Sequence, residues 1–183
     1  ITAWGDSSGE CEKNSLWIIR TAEKYIRAHG KKEPFGSVTP DLKPLAPAAR
    51  RARAAALAPI IRGLASTDRR MVGHFTDTPE VLDFLSREKH GKLAQLGTSC
   101  PDHFLRTKAR PMVVDLPPTA DLDVVVARLK KLHESYRAAY TRYYEKHRAS
   151  DSPGMRGADP LIVLVPGIGM FAYGADKKTA RVA

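Results

Sequence analysis

Cysteine is scarce. Cys11 and Cys100 are the only two in 183 residues; they stand far apart and outside CxxC spacing, which excludes a disulfide framework and a thiolate zinc site and fits a reducing cytoplasm. No apolar run approaches the roughly 20 residues of a membrane-spanning helix. The longest, LIVLVPGIGMFA, is interrupted by Pro166 and two glycines. Six histidines, His29, His74, His90, His103, His133 and His147, include no HxH or HExxH pair, so a local two-histidine metal clamp is lacking. Acid is in deficit: 20 Asp and Glu face 30 Lys and Arg, a formal net charge of +10. That surplus favours anionic partners, either phosphorylated metabolites or nucleic acid, without choosing between them. With 43% hydrophobic and 27% charged residues, the chain has material for one core or two small lobes and is no disordered tail.

The chain opens without Met on Ile1-Thr2-Ala3-Trp4-Gly5, which alternates and carries β-branched and aromatic residues like a strand already under way. At the other end, AYGADKKTARVA reads as a strand, a glycine turn and the first turns of a helix. Both ends are expected to be cuts through a longer protein, the alternative being a trimmed but complete domain. The ends also echo each other. Ile1 to Gly5 and Met170 to Gly174 place a small residue, an aromatic and a glycine in register, each followed by polar residues and a helix.

Asp6-Ser7-Ser8 offers helix caps, and Leu16, Ile19, Ala22 and Ile26 recur at helical spacing until Gly30. Prolines 34, 40, 44 and 47 then mark a linker. An alanine-rich helix follows from Pro47, with Pro59 expected to kink or break it. RRMVGHF reads as a short strand, and Thr78-Pro79-Glu80 opens a short helix. Thr119 is placed to cap a long helix whose Leu122, Val126, Leu129, His133, Tyr136, Tyr140 and Tyr143 form an apolar stripe. Its Lys130, Lys131, Arg137, Arg142 and Arg148 then read as a solvated face. LIVLV is a central strand, apolar on both faces.

Chemistry concentrates in the polar stretch between LAQLG and PMVVD. Thr98, Ser99, Asp102, His103, Arg106 and Lys108 bring hydroxyls, a carboxylate, an imidazole and two cations together around Cys100. Arg106 and Lys108 suit a phosphate, with helix amides after Ser99 as further donors; the plainer alternative is a capped short helix with its cations in water. Cys100 as a nucleophile needs an activating base that the sequence does not place. Gly167-Ile168-Gly169-Met170-Phe171-Ala172 satisfies G-x-G-x-x-A, yet the residues after the glycines are strand-like where a dinucleotide site requires a helix.

ITAWGD and the helix behind it resemble the stretch after the third metal-binding histidine of class II aldolases of the adducin-like superfamily. GTSCPDHFLRTKARP and LIVLVPGIGMFAYGADKKTARVA resemble the middle of bacterial bifunctional proteins that join a rhamnulose-1-phosphate-aldolase-like region to a short-chain dehydrogenase. The resemblance covers nearly the whole chain. It implies an α/β fold with a central mixed sheet covered by helices in three layers. Residues 1–30 would end a first aldolase-like unit, 31–46 form a proline-rich linker, and 47–183 make a second, degenerate unit truncated at its last helix. For the parent it implies zinc-assisted retro-aldol cleavage of a sugar phosphate, NAD(P)-linked dehydrogenase chemistry and a cytoplasmic location. The zinc of such aldolases is held by a His-x-His pair and a third histidine; in this register all three would precede Ile1, and Ile168 occupies the third position in the second unit. Isoleucine has no lone pair, so this segment is expected to carry no metal or cofactor, to be inactive alone, and to act as scaffold or substrate-shaping repeat.

Two rivals come from other classes. Arg50-Arg51-Arg53, Arg69-Arg70 and the basic long helix with its tyrosines allow a nucleic-acid binder, although the tyrosines follow the packing stripe. An oligomerisation module using the tyrosine face to form a homo-oligomer is the other. Salt-dependent binding to random duplex and light scattering separate them.

Overall fold

The computed structural model describes residues 2–183; the reading of Ile1 as part of a strand lies outside the described residues. The chain divides into two compact units, one ending at Pro34 and the other running Phe35–Ala183. Among the described residues no helix is long and apolar enough to cross a membrane.

The first unit is dominated by one helix, α1 (Ser8–His29). Ser7 caps it in extended conformation and accepts from the Glu10 amide, and Gly30 ends it. None of its residues is buried, and Trp17, Ile19, Tyr25 and Ile26 are all more than half exposed. The expected strand at the front is not one. Thr2–Gly5 has no ladder partner, and without pairing an extended segment is not a strand.

The second unit carries α2 (Pro47–Leu64), β1 (Val72–Thr76), α3 (Pro79–Ser86), α4 (His90–Ala94), α5 (Pro101–Thr107), β2 (Met112–Val113), α6 (Leu122–His147), β3 (Ile162–Val165), β4 (Gly169–Gly174) and α7 (Lys177–Val182). Before α2, the proline-rich residues lie against this unit: Val38 bridges Arg87, and the Leu45 amide donates to Gly167 O at 3.0 Å. Two expectations are corrected. α2 runs unbroken through Pro59, because Pro59 and Ala55, whose carbonyl it frees, both face water. The cap position of α6 is Asp121 rather than Thr119. The polar stretch contains the short helix α5, with Cys100 at its cap position.

The four strands form one mixed sheet in the order β1-β4-β3-β2. β4 is antiparallel to both β1 and β3, whereas β2 runs parallel to β3. Strand alternation sends Val163, Val165, Phe171 and Tyr173 to a core shared with Leu57 and Ile61 of α2 and Leu129 and Tyr136 of α6. Ile162, Leu164 and Ala172 face the opposite way, onto Leu85 of α3 and Ala94 of α4. The result is the expected α/β architecture, a central mixed sheet between helices. The β3–β4 turn needs Gly167: its φ is +69°, and an added Cβ would stand 2.5 Å from Pro118 Cγ.

Candidate functional site

Asp159 stands in the link between α6 and β3, 5% exposed, and gathers three segments. Its carboxylate accepts from the Thr67 amide (2.7 Å), the Thr67 hydroxyl (2.6 Å) and the Asp68 amide (3.1 Å) beyond the end of α2. From α6 come His133, Nε2 at 3.0 Å, and the Arg137 guanidinium. Burial alone would raise the Asp159 pKa; the hydrogen bonds from Thr67, His133, Arg137 and the Asp68 amide outweigh it and hold the carboxyl at about 2. Arg137 also forks onto Asp68 at 2.9 and 3.0 Å, lowering the Asp68 pKa through that hydrogen bond. Arg137 is therefore not part of a purely solvated face as its helical position suggested; Lys130, Lys131, Arg142 and Arg148 are exposed.

Lys108 completes the cluster from the other side. It follows α5 with φ +63°, the only positive value at a non-glycine among the described residues. Its ammonium donates to Gly157 O (3.0 Å) and Asp159 O (2.5 Å) and lies 4.7 Å from the Tyr140 ring centroid. Desolvation lowers its pKa to about 8 against the opposing charges of Asp159 and Asp68. The cluster thus pins residues 66–68, 107–108 and 157–159 to one another and to α6.

Two clefts flank these pinned segments. One, of about 320 Å³, is lined by Arg69, Asp102, Arg106, Leu161, Tyr173 and Gly174. The other, of about 360 Å³, has an apolar floor of Leu85, Ile162, Leu164 and Met170, with Glu80, Thr98 and His103 among its polar lining.

The six residues singled out in the sequence do not converge on one point. Thr98 and His103 line the apolar cleft. Ser99 stays beside His103, its amide and hydroxyl each 3.4 Å from Nδ1. Asp102 and Arg106, a helical turn apart, line the other cleft. Lys108 points inward to carbonyl oxygens rather than toward a ligand. Sequence reasoning missed Asp159, Thr67 and Asp68, and read Arg69 only as half of the basic pair Arg69-Arg70. The one available signal was His133 on an otherwise apolar stripe: a buried imidazole requires a partner, but nothing in the spacing identifies Asp159 as that partner.

The donor set does not fit zinc. Among the described residues no three His, Cys, Asp or Glu side chains come together to hold a metal, and Ile168 is 2% exposed within the apolar core. Nor do the glycines fit a dinucleotide: Gly167 sits in a hairpin turn and Gly169 begins β4, so no helix amino terminus faces a pyrophosphate.

The second unit is thus a mixed sheet with helices on both faces and an apolar residue buried at the β3–β4 turn. Residues 52–183 match the family described as aldolase class II, second domain, and the chain belongs to that family. It is also 30% identical over 185 residues to the uncharacterized oxidoreductase YuxG of Bacillus subtilis (strain 168); the match takes in all of this chain and 26% of that relative. The chain thus spans about a quarter of the length of the curated protein it matches. No solved structure matches it.

Proposed function

We propose that this chain is the scaffold and substrate-shaping stretch of a longer cytoplasmic enzyme that joins a zinc-dependent aldolase, acting on a rhamnulose-1-phosphate-like sugar phosphate, to a short-chain dehydrogenase. Zinc and NAD(P) belong to other parts of that enzyme in this reading. Residues 1–30 close a first aldolase-like unit, 31–46 link, and 47–183 form a second, degenerate unit. Family membership supports the aldolase part, and the name of the Bacillus relative supports an oxidoreductase part.

The observation that carries the reading is Ile168. It takes the place that a coordinating imidazole fills in working class II aldolases by the sequence register, and its side chain is packed among Val165, Phe171 and other core residues. A packed aliphatic side chain stabilises the unit and ligates nothing. Substrate shaping falls to the cleft lined by Arg69 and Arg106. Two guanidiniums at one cleft suit a phosphate dianion, which each can bind through paired N–H donors.

The test is a direct one on residues 1–183. Titration with rhamnulose 1-phosphate and with inorganic phosphate, followed by NMR, should move the amides of 69–71 and 102–107, and Arg106→Ala should weaken binding by about tenfold. Retro-aldol turnover by this chain, with one tightly held zinc ion per chain on metal analysis, overturns the scaffold role. Unchanged affinity in Arg106→Ala removes that arginine from the phosphate site.

A further inference from the structure

Residues 98–107, which carry α5, lie between two backbone positions of left-handed φ. Gly97 has φ +90°, and Lys108 has φ +63° with ψ −169°, a combination that glycine adopts readily and a residue with a side chain rarely does. The two ends of the segment meet: a Cβ on Gly97 would stand 2.8 Å from Ala109 O. The far end is locked, because the Lys108 ammonium donates to Gly157 O and Asp159 O inside the fold. A stretch whose ends touch while its middle projects is an Ω-loop, here with a short helix in it.

Between those ends the segment is bonded to itself. The Ser99 amide and hydroxyl approach His103 Nδ1, the Phe104 amide donates to Cys100 O, the Thr107 hydroxyl donates to His103 O, and the Lys108 amide donates to Phe104 O. Among the described residues no ion pair ties Asp102 or Arg106 to another element. Phe104, its ring centroid 6.1 Å from that of Tyr143, and the buried Thr107 hold the segment to the body. Leu105 does not. It is 72% exposed, although it lines the cleft whose other wall holds Arg69, Met71 and Leu161. On its opposite side α5 borders the apolar cleft through His103 and Thr107, so the helix has room to either side. An exposed leucine facing an apolar wall, on a segment without cross-ties, is what an open lid presents. Charge opposes closure. Moving Leu105 onto Leu161 carries Arg106 toward Arg69, and Asp102, the one acid in that lining, offsets only one of the two guanidiniums.

We propose that residues 98–107 are an anion-gated flap, which pivots at Gly97 against the anchored Lys108 and closes over the cleft of Arg69 and Arg106 when a phosphate group occupies it. The dianion removes the repulsion between the two guanidiniums, so it binds the closed form better and shifts the population toward it. Leu105 then seals the mouth against Leu161 and Met71, and Arg106 swings in as the second donor to the phosphate. Closure excludes water from the sugar phosphate held there. It also gives Leu105, which offers the anion no polar group, a share in the affinity. The inference rests on the reading that this cleft takes phosphate and adds that binding is coupled to a movement; the coupling can fail while the site stands.

Inorganic phosphate is the probe, added to residues 1–183. Hydrogen exchange by mass spectrometry over peptides of 98–107 and amide NMR of 69–71 are read on the same samples. Saturating phosphate should slow exchange across 98–107 by about tenfold or more, while peptides of 162–174 keep their rates. Leu105→Ala removes no donor, yet it should weaken phosphate binding by about three- to tenfold and abolish the slowing. Shifts at 69–71 with unchanged exchange at 98–107 overturn the flap and leave the phosphate site standing. Slowing that persists in full in Leu105→Ala overturns it as well, since contact with the ion then accounts for the effect. Absence of any response at 69–71 removes the phosphate site and the anion gating with it.

Discussion

Asp159 Oδ1 lies 3.0 Å from His133 Nε2, and both residues are more than nine-tenths buried. This contact joins the loop before β3 to α6, and with Thr67, Asp68 and Arg137 it ties the end of α2 to both. Several consequences can be measured.

Stability should depend on acid through Asp159. Its folded pKa of about 2 lies below the ordinary value of 3.8, so its contribution is fully present above about pH 4 and is lost as pH falls toward 2. The shift corresponds to about 2 kcal/mol. Urea titrations across that window should show the fall in the wild-type chain and a shallower one in Asp159→Asn. Asp159→Ala at neutral pH should cost about 3 kcal/mol, since it removes the acceptor of the buried His133 and of the Thr67 and Asp68 amides.

At the alkaline end stability depends on pH with the same sign. Lys108 is held at about 8 in the folded chain against its ordinary value of 10.5, so the unfolded chain binds more protons between those values. Stability should therefore rise as pH increases from 8 to 10.5, by at most about 3 kcal/mol. Lys108→Met should abolish the rise in thermal or chemical melts. Its backbone supplies a second readout. With φ at +63°, Lys108→Ala should be less stable than Lys108→Gly by about 1 kcal/mol, although both lose the ammonium contacts.

Pro59 offers a test of the continuous helix. It is exposed inside α2, where proline is about 3 kcal/mol less favourable than alanine, partly offset by the freedom it removes from the unfolded chain. Pro59→Ala should raise stability by about 1 kcal/mol or more. A loss would show that the helix depends on an interruption there.

At the β3–β4 turn, Gly167→Ala should lower stability by about 1–3 kcal/mol, because the turn requires a left-handed backbone and Pro118 occupies the space a Cβ would take. Denaturant midpoints measured beside Gly63→Ala, where the added Cβ meets nothing within 4 Å, separate this strain from a general glycine effect.

Local signals made several elements legible. Ser7 and Gly30 bracket α1, Thr78-Pro79 opens α3, and LIVLV becomes the central β3, because caps, prolines and apolar runs act within a few residues. Pro59 misled, since whether a proline breaks a helix depends on what its freed carbonyl faces. ITAWG misled for a related reason: β-prone residues make a strand only when neighbours supply the ladder. Of the candidate site, Arg106 and Asp102 were readable as polar residues in a cleft-forming stretch. Lys108 was assigned the wrong direction, because the carbonyls of Gly157 and Asp159 that hold it are about 50 residues away along the chain.

By itself the amino-acid order determined where helices begin, which strand is buried on both faces, and that Ile168 offers no lone pair. Those properties follow from side-chain chemistry and short spacings. Only the tertiary structure decided that Asp159 is the hub for Thr67, His133 and Arg137, that Arg69 and Arg106 share a cleft, and that Trp4 stands exposed where Tyr173 is enclosed. Each of these depends on segments remote in sequence being brought together, and burial and electrostatic coupling act through space rather than along the chain.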